Sequence, residues 1–231
     1  MHGIVLLAAG SGSRMGNQTN DKILEKIGNS NAFRMCLLAF TEIQKITSTV
    51  VVFRDQEQME ELQDESNQIT TLDELNIIYV KGGEQRRDSV TNGLTTLPES
   101  CKFAHIHDCA RPLIRRETIV KMIEEVEKSI PIAVARPATN TIRKRISGST
   151  LFQTETLERN QLWEMETPQS APLSWFREGY AKAKEMNISI TDDMHAIELL
   201  SKEMILLEPG YPNPKITYGH DLKYISSLLE S

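Results

Sequence analysis

Short apolar runs alternate with amphipathic stretches along the first part of the chain. The apolar runs predict buried strands at 3–9, 48–53, 75–83, 103–112 and 131–138. Between them, apolar residues recur at helical spacing and predict helices at 32–44, 57–66, 86–97 and 116–128. This alternation is typical of an α/β protein with a mainly parallel sheet and helices on both faces.

The alternation stops at about residue 138. Residues 138–162 are polar and form two extended pieces around the turn residues 147–149, which predicts a hairpin or an arm. The remainder predicts a loop at 167–172, a helix at 174–186, a helix at 190–203 capped by Thr191, a strand at 214–221 and a helix at 221–231.

Composition narrows the class of protein. The 231 residues are 39% hydrophobic and 25% charged, which suits a globular chain with a core. The net charge of -6 argues against nucleic acid as a partner, and no apolar run is long enough to predict a membrane span. No signal-peptide pattern precedes the first strand, and three cysteines are too few for a disulfide framework, so we expect a cytoplasmic protein.

Polar loops follow three of the predicted strands, where ligands bind in parallel sheets. The first, 8–16, reads AAGSGSRMG; its glycines Gly10 and Gly12 expose backbone N–H groups that suit phosphate oxygens, and Arg14 adds positive charge. Lys22 follows closely. The loop lacks the Gly-Lys-Ser/Thr of a Walker motif and the third glycine of the dinucleotide fingerprint.

The second loop adds a hydroxyl that can hydrogen-bond a base or a sugar, and the third adds a carboxylate. Gly83 permits close approach of a ligand and Ser89 offers a hydrogen bond, although the same stretch also suits a plain helix start capped by Asp88 or Ser89. Asp108 ends a strand, where a carboxylate can hold a divalent cation. Arg111 suits either orienting Asp108 or contacting ligand.

Two histidines share one face of the fourth predicted strand. His105 and His107 have the spacing of a zinc pair, but no third ligand lies at a useful distance in sequence. We interpret both as structural.

Read in order, the motifs AAGSGSRMG, GGEQRRDSV, HDCARP, RNQLW, TPQ, TDD and NPKIT resemble the 2-C-methyl-D-erythritol 4-phosphate cytidylyltransferase family. The resemblance implies a Rossmann-like sheet in a single nucleotidyltransferase domain over 1–231. It also implies CTP and a polyol phosphate as substrates, Mg²⁺ as cofactor, and a homodimer joined by a β-arm at about 137–160.

The resemblance also assigns roles to residues. The implied catalytic residues are Arg14, Lys22 and Lys215. The implied nucleotide-binding residues are Ala8, Ala9, Gly10, Gly12, Gly83, Ser89 and Asp108, with Asp108 also beside the metal. The implied residues of the acceptor site are Arg111, Thr141, Arg159, Thr167 and Thr191, of which Arg159 would reach across the dimer.

One departure from the family lies beside the catalytic lysine. Asp21 precedes Lys22, and its negative charge is expected to weaken the attraction for phosphate; Lys26 is an alternative cation. Three other functions remain open: a cytidylyltransferase for another polyol phosphate such as ribitol 5-phosphate, a nucleotide-binding module without catalysis, and a dinucleotide-binding oxidoreductase.

Overall fold

The computed structural model describes residues 1–10, 21–69, 77–148 and 150–230. Two residues with predicted roles, Gly12 and Arg14, lie outside these ranges. Among the described residues, no helix is long and apolar enough to cross a membrane.

The described strands and helices follow the predicted alternation. The strands are β1 (His2–Leu7), β2 (Lys26–Ile27), β3 (Ser30–Asn31), β4 (Ile46–Phe53), β5 (Ile77–Lys81), β6 (Phe103–Asp108), β7 (Ile132–Pro137), β8 (Arg143–Ser147), β9 (Gln153–Thr156), β10 (Trp163–Pro172) and β11 (Ile205–Leu207). The helices are α1 (Ala32–Thr41), α2 (Gln56–Asn67), α3 (Arg86–Thr96), α4 (Arg116–Val126), α5 (Leu173–Glu185), α6 (Asp193–Glu198) and α7 (Gly219–Leu229).

Seven of these strands form one sheet in the order β11-β7-β10-β6-β1-β4-β5. Strand β1 pairs in parallel with both β4 and β6, and β4 pairs in parallel with β5. Only β10 among the described strands of this sheet runs against its neighbours, β6 and β7. The prediction of a mainly parallel α/β sheet is therefore confirmed.

The apolar core lies on both faces of the sheet. One cluster packs Phe33 of α1 and Met122 of α4 against the strands, and the other packs Leu94 of α3 and Phe176 of α5 against the opposite face. Helix α3 lies so close to the sheet that a Cβ on Gly93 would stand 2.4 Å from Val5 Cγ1. The expectation of helices on both faces is confirmed.

Two predictions in the last third of the chain are wrong. Residues 167–172, predicted as a loop, form the second half of β10. The polar character of this stretch misled the prediction, because its buried side chains have hydrogen-bond partners across the sheet. No strand forms at 214–221; the last described strand is β11, and the chain is irregular until α7 begins.

Two helix caps differ from the predictions. The N-cap of α6 is Asp192, whose carboxylate accepts a hydrogen bond from His195 N at 3.0 Å, and not Thr191. The N-cap of α3 is Gln85, whose backbone N–H donates to the Asp88 carboxylate at 3.2 Å. In both cases several adjacent residues are of a type that can cap a helix, and the sequence alone does not decide which of them occupies the N-cap position.

The predicted hairpin is present. Strands β8 and β9 pair with each other, and every described residue of the two strands is exposed. Ala138 N donates to Leu162 O at 2.9 Å, which closes the two ends of this excursion beside the main sheet.

Candidate active site

A cavity of about 480 Å³ opens at the carboxyl ends of β1, β5 and β6. Its lining includes eight of the residues with predicted nucleotide-binding or catalytic roles: Ala8, Ala9, Gly10, Lys22, Gly83, Ser89, Asp108 and Lys215. The described residues of the three polar loops therefore meet at one edge of the sheet, as the sequence predicts.

Two lysines enter the cavity from opposite ends of the chain. Lys22 Nζ donates a hydrogen bond to Ile216 O at 3.1 Å, and Lys215 Nζ donates to Asp108 Oδ2 at 2.5 Å. The two segments are thereby joined, so both cations lie at the same site. Lys26, the alternative cation, is exposed on β2 and does not line the cavity.

Asp108 is a buried carboxylate surrounded by cations. Burial alone would raise its pKa, but Lys215 and Arg86 outweigh that effect and hold the pKa of Asp108 well below its usual range. Its backbone N–H donates to Thr167 Oγ1 at 3.0 Å, which connects β6 to β10. Asp108 is therefore ionised and fixed in place near neutral pH.

Arg86 is a cavity residue to which the sequence assigned no role. Its guanidinium makes two parallel hydrogen bonds to the Asp193 carboxylate, at 2.8 and 2.7 Å, and its Nη2 lies 3.6 Å from Asp108 Oδ1. Tyr180 donates a further hydrogen bond to Asp193 at 2.6 Å. Burial opposes the positive charge, yet Asp193 raises the pKa of Arg86, so the cation is secure. Its place within GGEQRRDS was the only available signal.

The glycine pair at the end of β5 allows the backbone to approach the cavity. A Cβ on Gly82 would lie 2.7 Å from Ser89 Oγ and 2.9 Å from Ala9 Cβ, so a side chain there would displace two lining residues. Gly83 N donates to Ser89 Oγ at 3.1 Å, which orients that hydroxyl. This narrow, glycine-walled side suits a flat base and a sugar.

The predicted acceptor-site residues are spread more widely. Arg111 donates to Asn213 O at 2.8 Å, and Thr167 is buried with its hydroxyl on His107 Nδ1 at 3.0 Å. Thr141, Arg159 and Thr191 are exposed. Arg159 donates to Thr139 O at 2.8 Å on the arm. None of these five is among the residues lining the cavity.

The two strand histidines have structural partners. His105 shares hydrogen bonds with His2 at 3.1 Å and Ser170 at 2.7 Å, and His107 with Thr167 and with Arg111 O at 3.1 Å. Burial lowers the pKa of His105 to about 3 and that of His107 to about 4, so both are neutral. These contacts agree with the structural interpretation.

The donors suitable for a metal are few. Within the described ranges, no group of three His, Cys, Asp or Glu residues is placed to hold an ion. Asp108 is a cavity carboxylate, and Mg²⁺ bound with polyphosphates commonly takes one or two protein carboxylates, the remainder being phosphate oxygens and water. Asp108 therefore has the chemistry for a metal that arrives with a nucleotide.

Fold and cavity together define an α/β protein with a nucleotide-type site at the carboxyl edge of its sheet. Comparison with known proteins gives the family. The family model of 2-C-methyl-D-erythritol 4-phosphate cytidylyltransferase matches residues 2–231, and the chain belongs to that family, whose members are nucleotidyltransferases.

Individual relatives agree over almost the whole chain. The 2-C-methyl-D-erythritol 4-phosphate cytidylyltransferase of Clostridioides difficile is 31% identical, with 99% of this chain and 94% of the relative aligned. The chloroplastic enzyme of Oryza sativa is 32% identical over 98% of this chain and 73% of its own length. The 4-diphosphocytidyl-2C-methyl-D-erythritol synthase structure from Anaerococcus prevotii superimposes with a TM-score of 0.84 at 20% identity, covering 100% of this chain and 96% of that one.

Proposed function

We propose that this protein transfers CMP from CTP to 2-C-methyl-D-erythritol 4-phosphate, a reaction of the non-mevalonate isoprenoid pathway. An oxygen of the acceptor phosphate attacks the α-phosphorus, the bond from that phosphorus to the bridging oxygen breaks, and pyrophosphate leaves. The observation that carries the proposal is that the family model matches residues 2–231 of this chain. In the same chain, Lys22, Lys215 and Asp108 line one cavity.

The charges in the cavity suit this chemistry. Bringing a phosphate monoester against a triphosphate places anions together, and fixed cations reduce the repulsion most where charge builds up in the transition state. Lys22 and Lys215 are assigned to the phosphates. Arg54 and Arg86 also line the cavity, and Arg86 Nη2 lies 3.6 Å from Asp108 Oδ1. Arg14 is assigned to the triphosphate with them.

Asp108 is the residue we assign to Mg²⁺. In a loaded site the metal would neutralise phosphate charge, and Asp108 would hold it from the protein side. The present partner of Asp108, Lys215, would then be released toward a phosphate oxygen. Ala8, Ala9, Gly10, Gly12, Gly83 and Ser89 are assigned to the cytidine and its phosphates.

We also propose that two copies of the chain complete each acceptor site. Support comes from the arm, which carries Arg159 and exposes the apolar side chains Ile146, Leu151 and Phe152, with Leu151 88% exposed. A partner copy that covers these side chains would receive Arg159 beside its own acceptor pocket. Arg111, Thr141, Thr167 and Thr191 are the other residues assigned to that pocket.

The buried free thiols Cys36, Cys101 and Cys109 suit a reducing cytoplasm.

Pyrophosphate release tests the proposal. Purified protein is given CTP and Mg²⁺ with 2-C-methyl-D-erythritol 4-phosphate, with ribitol 5-phosphate, or with no acceptor. We expect release with methylerythritol phosphate alone. Release with ribitol phosphate alone would replace the proposed acceptor while keeping the reaction. Binding of CTP with no release from either acceptor would favour the nucleotide-binding module.

A further inference from the structure

The segment that carries Lys22 is tied to the sheet by a cluster of polar side chains outside the catalytic groups. We define the Asp21 cluster as Asp21, Arg54, Asp55 and Gln58. The carboxylate of Asp21 accepts hydrogen bonds from Arg54 Nη1 at 2.9 Å and from Gln58 Nε2, and only 3% of its side chain is exposed. The carboxylate beside Lys22 is thus neutralised by an arginine and turned into the protein.

Gln58 connects three separate segments. Its amide nitrogen donates to Ala8 O at 2.9 Å as well as to Asp21, and its amide oxygen accepts from Arg54 N at 2.6 Å. Ala8 precedes the glycine-rich loop and Asp21 follows it. One fully buried side chain of α2 therefore holds both ends of that loop and the end of β4.

The cluster also shapes the turn that presents Lys22. Asp21 Oδ1 accepts from Ile23 N at 3.3 Å, and Asp21 O accepts from Leu24 N at 2.8 Å. Asp21 therefore fixes the backbone on both sides of Lys22. Ile23, the next residue, is buried, so the turn determines where the side chain of Lys22 leaves the backbone.

We infer that Asp21, Gln58 and Arg54 are positioning residues that hold Lys22 at the phosphate end of the cavity. The inference rests on the proposed function for the role of Lys22. A hydrogen-bonded carboxylate at position 21 organises the lysine, whereas the sequence alone suggests that it competes with phosphate. Asp21 is not among the residues lining the cavity, whereas its partner Arg54 is. An effect of Asp21 carried by Arg54 would persist in the absence of Lys22, whereas the inferred effect through Lys22 would not.

A double-mutant cycle tests the inference, because a residue that acts only through Lys22 loses its effect when Lys22 is absent. Asp21→Ala is compared with the parent protein, and Asp21→Ala/Lys22→Ala with Lys22→Ala. We expect Asp21→Ala to lower kcat for pyrophosphate release by about tenfold to a hundredfold in the parent, as a displaced catalytic group does. In the Lys22→Ala background we expect no further loss. The same loss in both backgrounds would overturn the inference.

Two further variants separate positioning from stability. Asp21→Asn keeps an oxygen that can accept from Arg54, so we expect partial rescue of kcat, and it replaces Asp21→Ala in the cycle if the latter does not fold. Glu127→Ala is the matched control: Glu127 pairs with Lys45 at 2.8 Å and with His2 at 3.2 Å, and it contacts no residue of the Asp21 cluster. It should lower the thermal midpoint slightly while leaving kcat within about twofold.

Amide hydrogen exchange supplies a readout that is independent of activity. We expect Asp21→Ala to speed exchange in the peptide spanning 22–27, and Glu127→Ala to leave that peptide unchanged. Unchanged exchange in Asp21→Ala would overturn the inference even if the parent protein is fully active. An inactive parent with faster exchange in Asp21→Ala would instead refute the proposed function and keep the anchoring role.

Discussion

Lys215 Nζ lies 2.5 Å from Asp108 Oδ2, although the two residues are 107 positions apart in the chain. This contact joins the segment before α7 to the end of β6. It also places a cation with a flexible stem on the carboxylate that we assign to Mg²⁺. In the absence of substrate, Lys215 and Asp108 therefore neutralise each other within the cavity.

We expect Lys215→Ala to abolish most of the activity. The chain should stay folded, because Lys215 is partly exposed and Arg86 still lies 3.6 Å from Asp108. Loss of one donor that faces the reacting phosphates typically lowers kcat about a hundredfold or more. Steady-state pyrophosphate release measures the effect. Lys184→Ala, at an exposed position of α5, is the matched control and should keep full activity. Equal activity in the two variants would remove Lys215 from the catalytic residues.

Asp193→Ala should destabilise the protein strongly. It removes the fully buried carboxylate that pairs with Arg86 and accepts a hydrogen bond from Tyr180, and among the described carboxylates it leaves Arg86 with only Asp108, at 3.6 Å. Breaking a buried pair of this kind typically costs about 3 kcal/mol in the free energy of unfolding. Urea unfolding gives the value. Glu99→Ala breaks the exposed pair with Arg177, where Glu99 is 90% exposed, and should cost less than about 1 kcal/mol. Similar losses in both variants would contradict the structural importance of the Arg86–Asp193 pair.

The buried histidines predict a loss of stability in mild acid. In the unfolded chain a histidine titrates near pH 6.5, whereas His105 and His107 have pKa values of about 3 and 4 in the fold. Between these limits the unfolded chain binds more protons, so stability is complete above about pH 6.5 and falls as the pH drops. Each histidine should contribute a loss of roughly 2 kcal/mol between pH 7 and pH 5.

His107→Gln isolates one of these contributions. The difference in unfolding free energy between pH 7 and pH 5 should shrink by roughly 2 kcal/mol in this variant. His220→Gln, at a side chain that is 79% exposed, should leave the difference unchanged. A pH dependence that is the same in His107→Gln as in the parent would show that the fold does not lower the pKa of His107.

Gly93→Ala should destabilise the contact between α3 and the sheet. The added methyl group would meet Val5 and Val52 side chains, at 2.4 and 3.1 Å, and overpacking of this kind costs about 1–3 kcal/mol. Gly219→Ala at the start of α7 is the control, since a methyl group added there would stand in open space. In thermal unfolding, the midpoint of Gly93→Ala should lie several degrees below that of Gly219→Ala. Equal midpoints would show that the sheet yields to the extra methyl group.

Leu151→Ser/Phe152→Ser should weaken the proposed dimer. These substitutions remove apolar surface from the arm without touching the core, so the monomer should stay folded. Analytical ultracentrifugation across a range of concentrations measures the association. Met186→Ser changes a comparably exposed apolar residue at the end of α5 and should have no effect. A parent protein that is monomeric at every concentration would refute the dimer directly.

The sequence predicted the architecture well where local pattern decides it. Apolar runs such as β1 and β4 can only be buried, and their polar ends had to gather at one edge because the strands are parallel. The second half of β10 was not predicted as a strand because Thr167 and Ser170 are polar. Both are buried because their hydroxyl groups form hydrogen bonds with histidines of β6. Local pattern holds no information about such partners.

The site shows the same division. Ala8, Gly83 and Asp108 were identified from motifs and do line the cavity. The roles of Arg86 and Gln58 depend on contacts with residues far along the chain, Asp193 and Asp21. Such long-range pairing cannot be deduced from one sequence, and it also decides whether a charge beside Lys22 helps or hinders.

The bond between Ala138 and Leu162 has a consequence for how this protein can change. The segment between these two residues connects β7 to β10 as a tight turn would, because its two ends are hydrogen-bonded to each other beside the sheet. Insertions, deletions or a transplanted hairpin from a relative can therefore be accommodated there without shifting the register of β7 against β10. Under the proposed assignment, the dimer contact and the acceptor-site residue Arg159 can therefore change at this location while the residues that line the cavity stay constant.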